Sequence, residues 1–126
     1  MKVRCALAQM HFTQSTEENV ERGASLVAQA AAEGAQIICL PELATSIYPA
    51  YVEDPALREL AQPIDGPAVG RMARAAADAG VYVVFPIYER TPDGRLFNTA
   101  VFLDREGQVA GRYRKNSIPD VRMPHM

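Results

Sequence analysis

A helical pattern that runs directly into an apolar strand occurs twice in this chain, and this repetition limits the possible folds more than any other feature. The segment 30–41 reads AAAEGAQIICLP, and the segment 75–86 echoes it as AAADAGVYVVFP. Two helix-to-strand units in succession predict parallel strands connected by right-handed helical crossovers. The chain is therefore predicted to have an α/β fold.

The remaining elements follow from capping, periodicity and turn signals. Ser15 to Glu18 has the pattern of a capping box, and Gly66-Pro67 is a typical helix start. The run 35–40 lacks polar alternation beyond its one Gln, so we expect a strand covered on both faces. Turn sequences at 91–94 and 104–107 predict antiparallel hairpins. The predicted strands are 3–10, 35–40, 81–90, 96–103 and 108–114.

This strand arrangement brings two charged residues to one edge of the sheet. Glu42 comes just after one apolar strand, and Lys115 comes just after the last strand. Strands that end at Pro41, near Glu89 and at Arg114 all run in the same direction, and open α/β sheets build their sites at that edge. Taken singly, each residue is typical of a solvated loop or a charged strand end. Their predicted convergence makes them candidate site residues.

Composition narrows the function classes. The 126 residues suit one modest domain, with 48% hydrophobic and 22% charged residues, which favours neither disorder nor a membrane span. A net charge of −2 gives no electrostatic footprint for nucleic acid. The chain enters a strand pattern without a signal-peptide pattern, so a cytoplasmic location is expected. His11 and His125 lack metal-ligand spacing and no nucleotide-binding glycine motif occurs, so neither a metal nor a cofactor is predicted.

Other reactive side chains are weaker candidates. Cys5 and Cys39 lie in apolar strand patterns, where we expect a reduced pair of core residues, with a disulfide as the alternative. Burial in a strand makes Cys39 a poor nucleophile. Ser46 and Ser117 lie near the predicted edge without a recognisable activating base. Two interpretations of Glu89 and Arg90 are open. They form an ion pair at the predicted sheet edge or, as the favoured alternative, they are two solvated charges.

The connection 44–65 is longer than packing requires and carries Tyr48 and Tyr51 among several prolines. Long loops of this kind often form binding loops or lids. We therefore predict that Tyr48 and Tyr51 contact a substrate.

Taken together, these segments resemble the carbon–nitrogen hydrolase (nitrilase) superfamily, and the resemblance covers nearly the whole chain in order. The segments that carry it are AQM at 8–10, LPEL at 40–43, ER at 89–90, FNTA at 97–100, DREG at 104–107 and GRYRK at 111–115. The trailing IPD at 118–120 is similar to the branch that cleaves N-carbamoyl amines and amino acids.

The resemblance implies a four-layer α-β-β-α sandwich with a Glu-Lys-Cys triad and no cofactor. Glu42 would be the general base and Lys115 would stabilise the oxyanion, while the nucleophilic Cys lies outside this chain. Residues 1–126 would then be a single partial domain, the N-terminal half, inactive alone. The family often has His two residues after the lysine, where Ser117 stands here.

The substrates implied by the resemblance are small amides or N-carbamoyl compounds, such as N-carbamoylputrescine or N-carbamoyl amino acids. A sheet without its second half would expose an apolar face, so we expect self-association, and the family implies homo-oligomers. Two other functions stay open. One is a non-catalytic assembly or partner-binding α/β module, in which Glu42 and Lys115 form only an ion pair. The other is a small ligand-binding domain that uses Tyr48 and Tyr51.

Overall fold

A five-stranded sheet with two helices on one face makes up most of the computed structural model, which describes residues 1–49 and 54–118. The strands and helices alternate along the first two-thirds of the chain, and the last three strands form a meander. This arrangement confirms the predicted α/β fold. In chain order the elements are β1 (Cys5–Leu7), α1 (Thr16–Ala32), β2 (Ile37–Cys39), a 3₁₀ helix (Pro55–Leu60), α2 (Pro67–Ala79), β3 (Tyr82–Arg90), β4 (Leu96–Leu103) and β5 (Val109–Arg114).

The strands lie in the sheet in the order of the sequence. β1, β2 and β3 are parallel, whereas β3, β4 and β5 are antiparallel to their neighbours. The first hairpin turn has the predicted bond from the Gly94 amide to the Thr91 carbonyl, at 2.9 Å. β2, β3 and β5 consequently all end at the same edge, which is the placement that the sequence predicts for the chain segments carrying Glu42 and Lys115.

Both helices begin where the sequence indicates. The Ser15 hydroxyl accepts a hydrogen bond from the Glu18 amide at 3.2 Å. In a complete capping box the Glu18 carboxylate would accept from the Ser15 amide, but here it accepts from the Thr13 hydroxyl. Only half of the predicted capping box therefore forms. α2 begins after Gly66 with proline at its first position, and it ends at Gly80 with φ of 67°, a left-handed conformation that glycine adopts without strain.

The core lies between the helices and one face of the sheet. Along β3, the side chains of Val83, Phe85 and Ile87 are completely buried, while the alternating side chains point to the opposite face and stay half-exposed. On that opposite face the side chain of Leu7 is 85% exposed. Within residues 1–49 and 54–118 no element covers this surface, which we call the open face.

The open face overturns two expectations. Strand β2 is not covered on both faces, because Ile38 is buried whereas Ile37 and Cys39 are only half-buried. The predicted core position of Cys5 is also wrong, since Cys5 is exposed on the open face. Both cysteines are free. In the β1–β2 ladder Cys5 lies opposite Ile37, and Cys39 lies opposite Leu7, so the two cysteines are not opposite each other.

The first two strands are shorter than predicted. β1 and β2 pair over only three residues, and the last ladder bond runs from the Ala8 amide to the Cys39 carbonyl at 2.9 Å. Beyond that point the segment after β2 is bonded to β3 instead, through the Leu40 amide and the Val84 carbonyl at 3.0 Å. The run of apolar residues in the sequence continues past the ladder because Leu40 is buried in the core after the strand has ended.

Candidate active site

A tight turn after β2 places Glu42 at the sheet edge. The amides of Leu40 and Ala44 donate to the carbonyls of Val84 and Pro86 at 3.0 and 2.8 Å, so this segment lies along the middle of β3. Leu43 has φ of 51°, an unusual left-handed conformation for a residue other than glycine, and its side chain is buried. Leu43 and the following Ala44 are both buried, whereas Glu42 just before them is exposed.

A buried asparagine fastens the same turn to the start of α1. The side chain of Asn19 is completely buried, and its amide nitrogen donates to the carbonyls of Thr13 and Thr45 at 2.9 and 3.2 Å. Its oxygen accepts from the Thr13 amide at 2.8 Å. Asn19 thus ties the backbone at Thr45, in the turn after Glu42, to Thr13 before α1.

Glu42, Lys115 and Asn98 meet on the open face. One carboxylate oxygen, Oε1 of Glu42, accepts from Lys115 Nζ at 2.8 Å and from Asn98 Nδ2 at 2.7 Å. The Lys115 amide also donates to the Asn98 carbonyl at 2.9 Å, which continues the β4–β5 ladder past the end of β5. The side chains of Lys115 and Glu42 are 38% and 47% exposed, so the pair is accessible from solvent.

The pair stabilises both charges. The hydrogen bond from Lys115 lowers the pKa of Glu42, partial burial opposes this effect, and the bond from Asn98 adds to it. The bond to Glu42 in turn raises the pKa of Lys115, with smaller contributions from the nearby Tyr48 and Tyr113. At neutral pH this site is therefore a carboxylate beside an ammonium group.

The two tyrosines predicted to bind substrate differ in what the structure describes. Tyr48 is half-buried and lies close enough to Lys115 to affect its pKa. Tyr51 lies outside the described residues, as do Pro119, Asp120 and His125. The substrate-binding role of Tyr48 and Tyr51 stays a prediction.

The alternative nucleophiles do not gain support. The Ser46 hydroxyl is buried and has no hydrogen-bond partner in the described part of the chain, so nothing there activates it. Ser117 is exposed. Cys39 is half-buried on the open face, with Sγ 3.5 Å from the carbonyl oxygen of Leu40, which differs from the fully buried thiol that the sequence predicts.

The suggested ion pair between Glu89 and Arg90 does not form, and Glu89 is not solvated either. Strand alternation sends these neighbours to opposite faces, and Glu89 is buried on the helix side, where it pairs with Arg114 at 2.7 Å. Arg90 instead donates to the carbonyl of Arg58 and lies 3.9 Å from Glu59. Burial raises the pKa of Glu89, but hydrogen bonds from Arg114 and Thr99 outweigh it, and the net shift is downward.

Two residues of the site were not predicted from the sequence. Asn98 binds Glu42 directly, and Tyr88 lies opposite Asn98 in the β3–β4 ladder. Burial raises the pKa of Tyr88 against the opposing charges of Arg58 and Arg90. The signal for Asn98 was only partial: Asn98 is the single amide side chain of β4, but Lys115 comes to lie opposite it through an irregularity in the β4–β5 pairing between Phe102 and Leu103.

The chemistry available at this edge is that of charged and hydrogen-bonding groups. Among the residues at 1–49 and 54–118, no three His, Cys, Asp or Glu side chains are grouped so that they could hold a metal ion. A carboxylate can accept a proton, and an ammonium or amide group can stabilise a developing oxyanion.

None of the helices in the described ranges combines the length and apolar character needed to cross a membrane.

Comparison with known proteins supplies a family for this site. The sequence profile described as Carbon-nitrogen hydrolase matches residues 4–125. Omega-amidase NIT2 of Homo sapiens is 29% identical over 121 residues, which cover 96% of this chain and 42% of that protein. A citrullinase of Francisella tularensis is 30% identical over 119 residues, covering 94% of this chain and 41% of the relative.

Solved structures show the same fold. A carbon-nitrogen hydrolase from Helicobacter pylori G27 matches with a TM-score of 0.85 and 25% identity, covering 94% of this chain and 41% of that chain. The C. elegans NitFhit protein matches with a TM-score of 0.81 at 18% identity, over 98% of this chain and 31% of that one. The predicted partial nitrilase-like sandwich is thereby confirmed. The chain spans about two-fifths of the length of the curated relatives it matches, and it belongs to the carbon–nitrogen hydrolase family.

Proposed function

We propose that this chain supplies the base and the cation of a thiol-dependent hydrolase of non-peptide carbon–nitrogen bonds. Glu42 is the general base and Lys115 stabilises the oxyanion, while the nucleophilic cysteine belongs to a part of the domain beyond residue 126. The observation that carries this proposal is the 2.8 Å contact between Lys115 Nζ and Glu42 Oε1 on the open face. Residues 1–126 are then one partial domain and are inactive alone.

The proposed reaction proceeds through an acyl-enzyme. Glu42 takes the proton of the thiol, and the thiolate adds to the substrate carbonyl carbon. The carbonyl oxygen becomes an oxyanion beside the Lys115 ammonium group, the carbon–nitrogen bond breaks, and the departing nitrogen receives the proton as ammonia or an amine. Glu42 then removes a proton from water, whose oxygen adds to the thioester carbonyl carbon. The carbon–sulfur bond breaks to release the acid product, and the departing thiolate takes the proton back from Glu42. The resting ion pair keeps Glu42 ionised but lowers its pKa, so proton transfer from the thiol depends on the position of the carboxylate and not on a raised basicity.

We propose small molecules with a terminal amide or ureido group as substrates. The relatives described above are an omega-amidase and a citrullinase, and citrulline carries the same –NH–CO–NH₂ group as N-carbamoyl compounds. Both substrate types present a carbonyl carbon attached to an NH₂ group, which suits one thiolate, one base and one cation. Tyr48 and Tyr51 are proposed to contact the rest of the substrate, and the complete protein is proposed to be a cytoplasmic homo-oligomer.

One observation favours a second candidate, a non-catalytic assembly module. Leu7 is 85% and Tyr113 is 60% exposed, and both lie on the open face. Apolar surface of this kind is typical of a face that packs against another sheet or chain. The two candidates differ in what they require of Glu42 and Lys115, because an assembly surface does not depend on a base.

The test is ammonia release by the complete protein from a panel of terminal amides, ureido compounds and nitriles. Glu42→Gln and Lys115→Met should each lower kcat/KM by at least about a hundredfold, the lower end of the range for loss of a general base and of an oxyanion donor, respectively. Matched controls are Glu21→Gln, which removes another exposed carboxylate from an ion pair, and Lys2→Met, which removes the other lysine of this chain.

The outcomes separate the two candidates. Loss of activity in the Glu42 and Lys115 variants, with both controls active, supports the hydrolase. Full activity in either site variant removes that residue from the mechanism. Absence of ammonia release by the complete wild-type protein on every substrate favours the assembly module.

A further inference from the structure

Glu89 is a second carboxylate that binds both β4 and β5, and it lies on the face of the sheet opposite to Glu42. Glu89 is the only charged side chain among the largest completely buried ones of the described residues. Its carboxylate accepts three hydrogen bonds from the Arg114 guanidinium, at 2.7, 2.9 and 3.3 Å, and one from the Thr99 hydroxyl at 3.0 Å. The guanidinium also lies 4.3 Å from the centre of the Phe97 ring. The end of β5 is thereby fixed to the helix side of the sheet.

The residues that Glu89 holds are the chain neighbours of the residues that Glu42 holds. Thr99 follows Asn98 in β4, and Arg114 precedes Lys115 at the end of β5. Thr99 and Arg114 are partners in the ladder, and the Lys115 amide donates to the Asn98 carbonyl. Because side chains alternate along a strand, the two pairs project from opposite faces at the same place. Each pair of side chains meets its own carboxylate.

We propose that Glu89 is a positioning residue of the active site, which holds the end of β5 through Arg114 so that the Lys115 amine stays at Glu42. This inference rests on the proposed function, since it gives Glu89 a role in placing the proposed oxyanion cation. Glu89 does not touch the site itself, and its effect passes through the strand.

Fold stability alone does not account for Glu89. A buried ion pair can often be replaced by well-packed apolar residues without loss of stability, so its presence in a hydrophobic core points to a geometric requirement. The requirement is plain at this position. Lys115 lies one residue past the last residue of β5, where strands fray, and its long side chain loses conformational freedom when held. A misplacement of about 1 Å at a catalytic group can cost up to a hundredfold in rate.

The experiment compares Glu89→Gln with Val101→Ala in the complete protein. Glu89→Gln keeps the size of the side chain but removes its charge, so the bidentate bond with Arg114 is lost. Val101→Ala is the control, because Val101 is a fully buried apolar residue of the same strand face and destabilises β4 without touching the ion pair. Arg114→Lys is a second variant that keeps the charge but not the fork geometry, and it serves if Glu89→Gln does not fold.

Two readouts are measured for each variant. The first is the separation of kcat from KM: we expect Glu89→Gln to lower kcat by at least about tenfold with little change in KM, as for a displaced catalytic group. The second is a ¹³C NMR titration of the reductively methylated Lys115 amine, with its signal assigned by its absence in Lys115→Arg. The pKa of Lys115 should be lower in Glu89→Gln than in the wild type, because the bond to Glu42 raises it.

The results distinguish this inference from the proposed function. If Lys115→Met retains full activity, the proposed function fails. If Lys115→Met is inactive but Glu89→Gln and Arg114→Lys keep the wild-type kcat and Lys115 pKa, only the positioning role of Glu89 is overturned. The positioning role is also overturned if Val101→Ala lowers kcat and the Lys115 pKa as much as Glu89→Gln does.

Discussion

The buried pair of Glu89 and Arg114 predicts an unequal response to removal of its two partners. The Glu89 side chain is 2% exposed, whereas that of Arg114 is 28% exposed. Breaking a fully buried pair costs about 3–5 kcal/mol because one charge is left without compensation. In Glu89→Gln the remaining charge is a guanidinium that water already reaches, so we expect a smaller loss of unfolding free energy, about 2 kcal/mol. In Arg114→Met the remaining charge is the buried carboxylate, and the loss at neutral pH should be larger.

The two variants should also differ in the sign of their pH dependence. In the wild type the net effect on the pKa of Glu89 is downward from its ordinary value near 4.5. Its contribution to stability is therefore present above that value and is lost as the pH falls through the lower, folded-state pKa. In Arg114→Met burial acts without its main opponent, so the pKa of Glu89 rises. Stability then declines as the pH rises from the ordinary value through the raised one.

The assay is urea unfolding of the complete protein, followed by circular dichroism at a series of pH values between acid and neutral. Glu89→Gln is the reference for both the wild type and Arg114→Met, because it has no carboxyl group that could titrate at this position. The difference curve of Arg114→Met against Glu89→Gln should slope downward with increasing pH, and that of the wild type should slope upward. Equal losses at neutral pH, or the same slope in both comparisons, would refute the burial argument.

Two further predictions concern single side chains. Asn98→Ala should move the acid limb of the kcat/KM profile to higher pH, because Asn98 is one of the groups that lower the pKa of Glu42; an unmoved limb would exclude this contact in solution. Gly107→Ala should lower the midpoint of thermal unfolding, because Gly107 has φ of 79° and an added Cβ would lie 2.8 Å from the carbonyl oxygen of Ala73. An unchanged midpoint would contradict the packing of this hairpin against α2.

The features that the sequence predicts well are those encoded locally. Alternation, caps and turn residues indicate both helices and all five strands. The two helix-to-strand units predict the parallel strands, and the two hairpin turns predict the antiparallel ones. The convergence of Glu42 and Lys115 follows from topology, because the chain after β2 and the end of β5 reach the same edge. The register that sets Lys115 opposite Asn98 does not follow from the length of the last hairpin, because an irregularity between Phe102 and Leu103 shifts the β4–β5 pairing by one residue.

The features that were missed depend on the face of the sheet from which each side chain projects. An apolar run such as that around Cys39 does not distinguish a strand covered on both faces from one covered on a single face. Glu89 and Arg90 are adjacent in sequence, which suggested an ion pair, but side chains alternate along β3 and these two project from opposite faces of the sheet. The true partner of Glu89 is Arg114, which is 25 residues away and becomes its neighbour only through the β3–β4–β5 ladder.

The most direct test of the central claim, that Glu42 and Lys115 act together as base and oxyanion cation, is the first turnover of the complete protein. A rapid-quench experiment with enzyme in excess over a terminal amide would measure the ammonia formed before the acyl-enzyme is hydrolysed. We predict a rapid first turnover in the wild type and in Glu21→Gln, and a rate at least about a hundredfold lower in Glu42→Gln and Lys115→Met. A first turnover at the wild-type rate in either site variant would contradict the account.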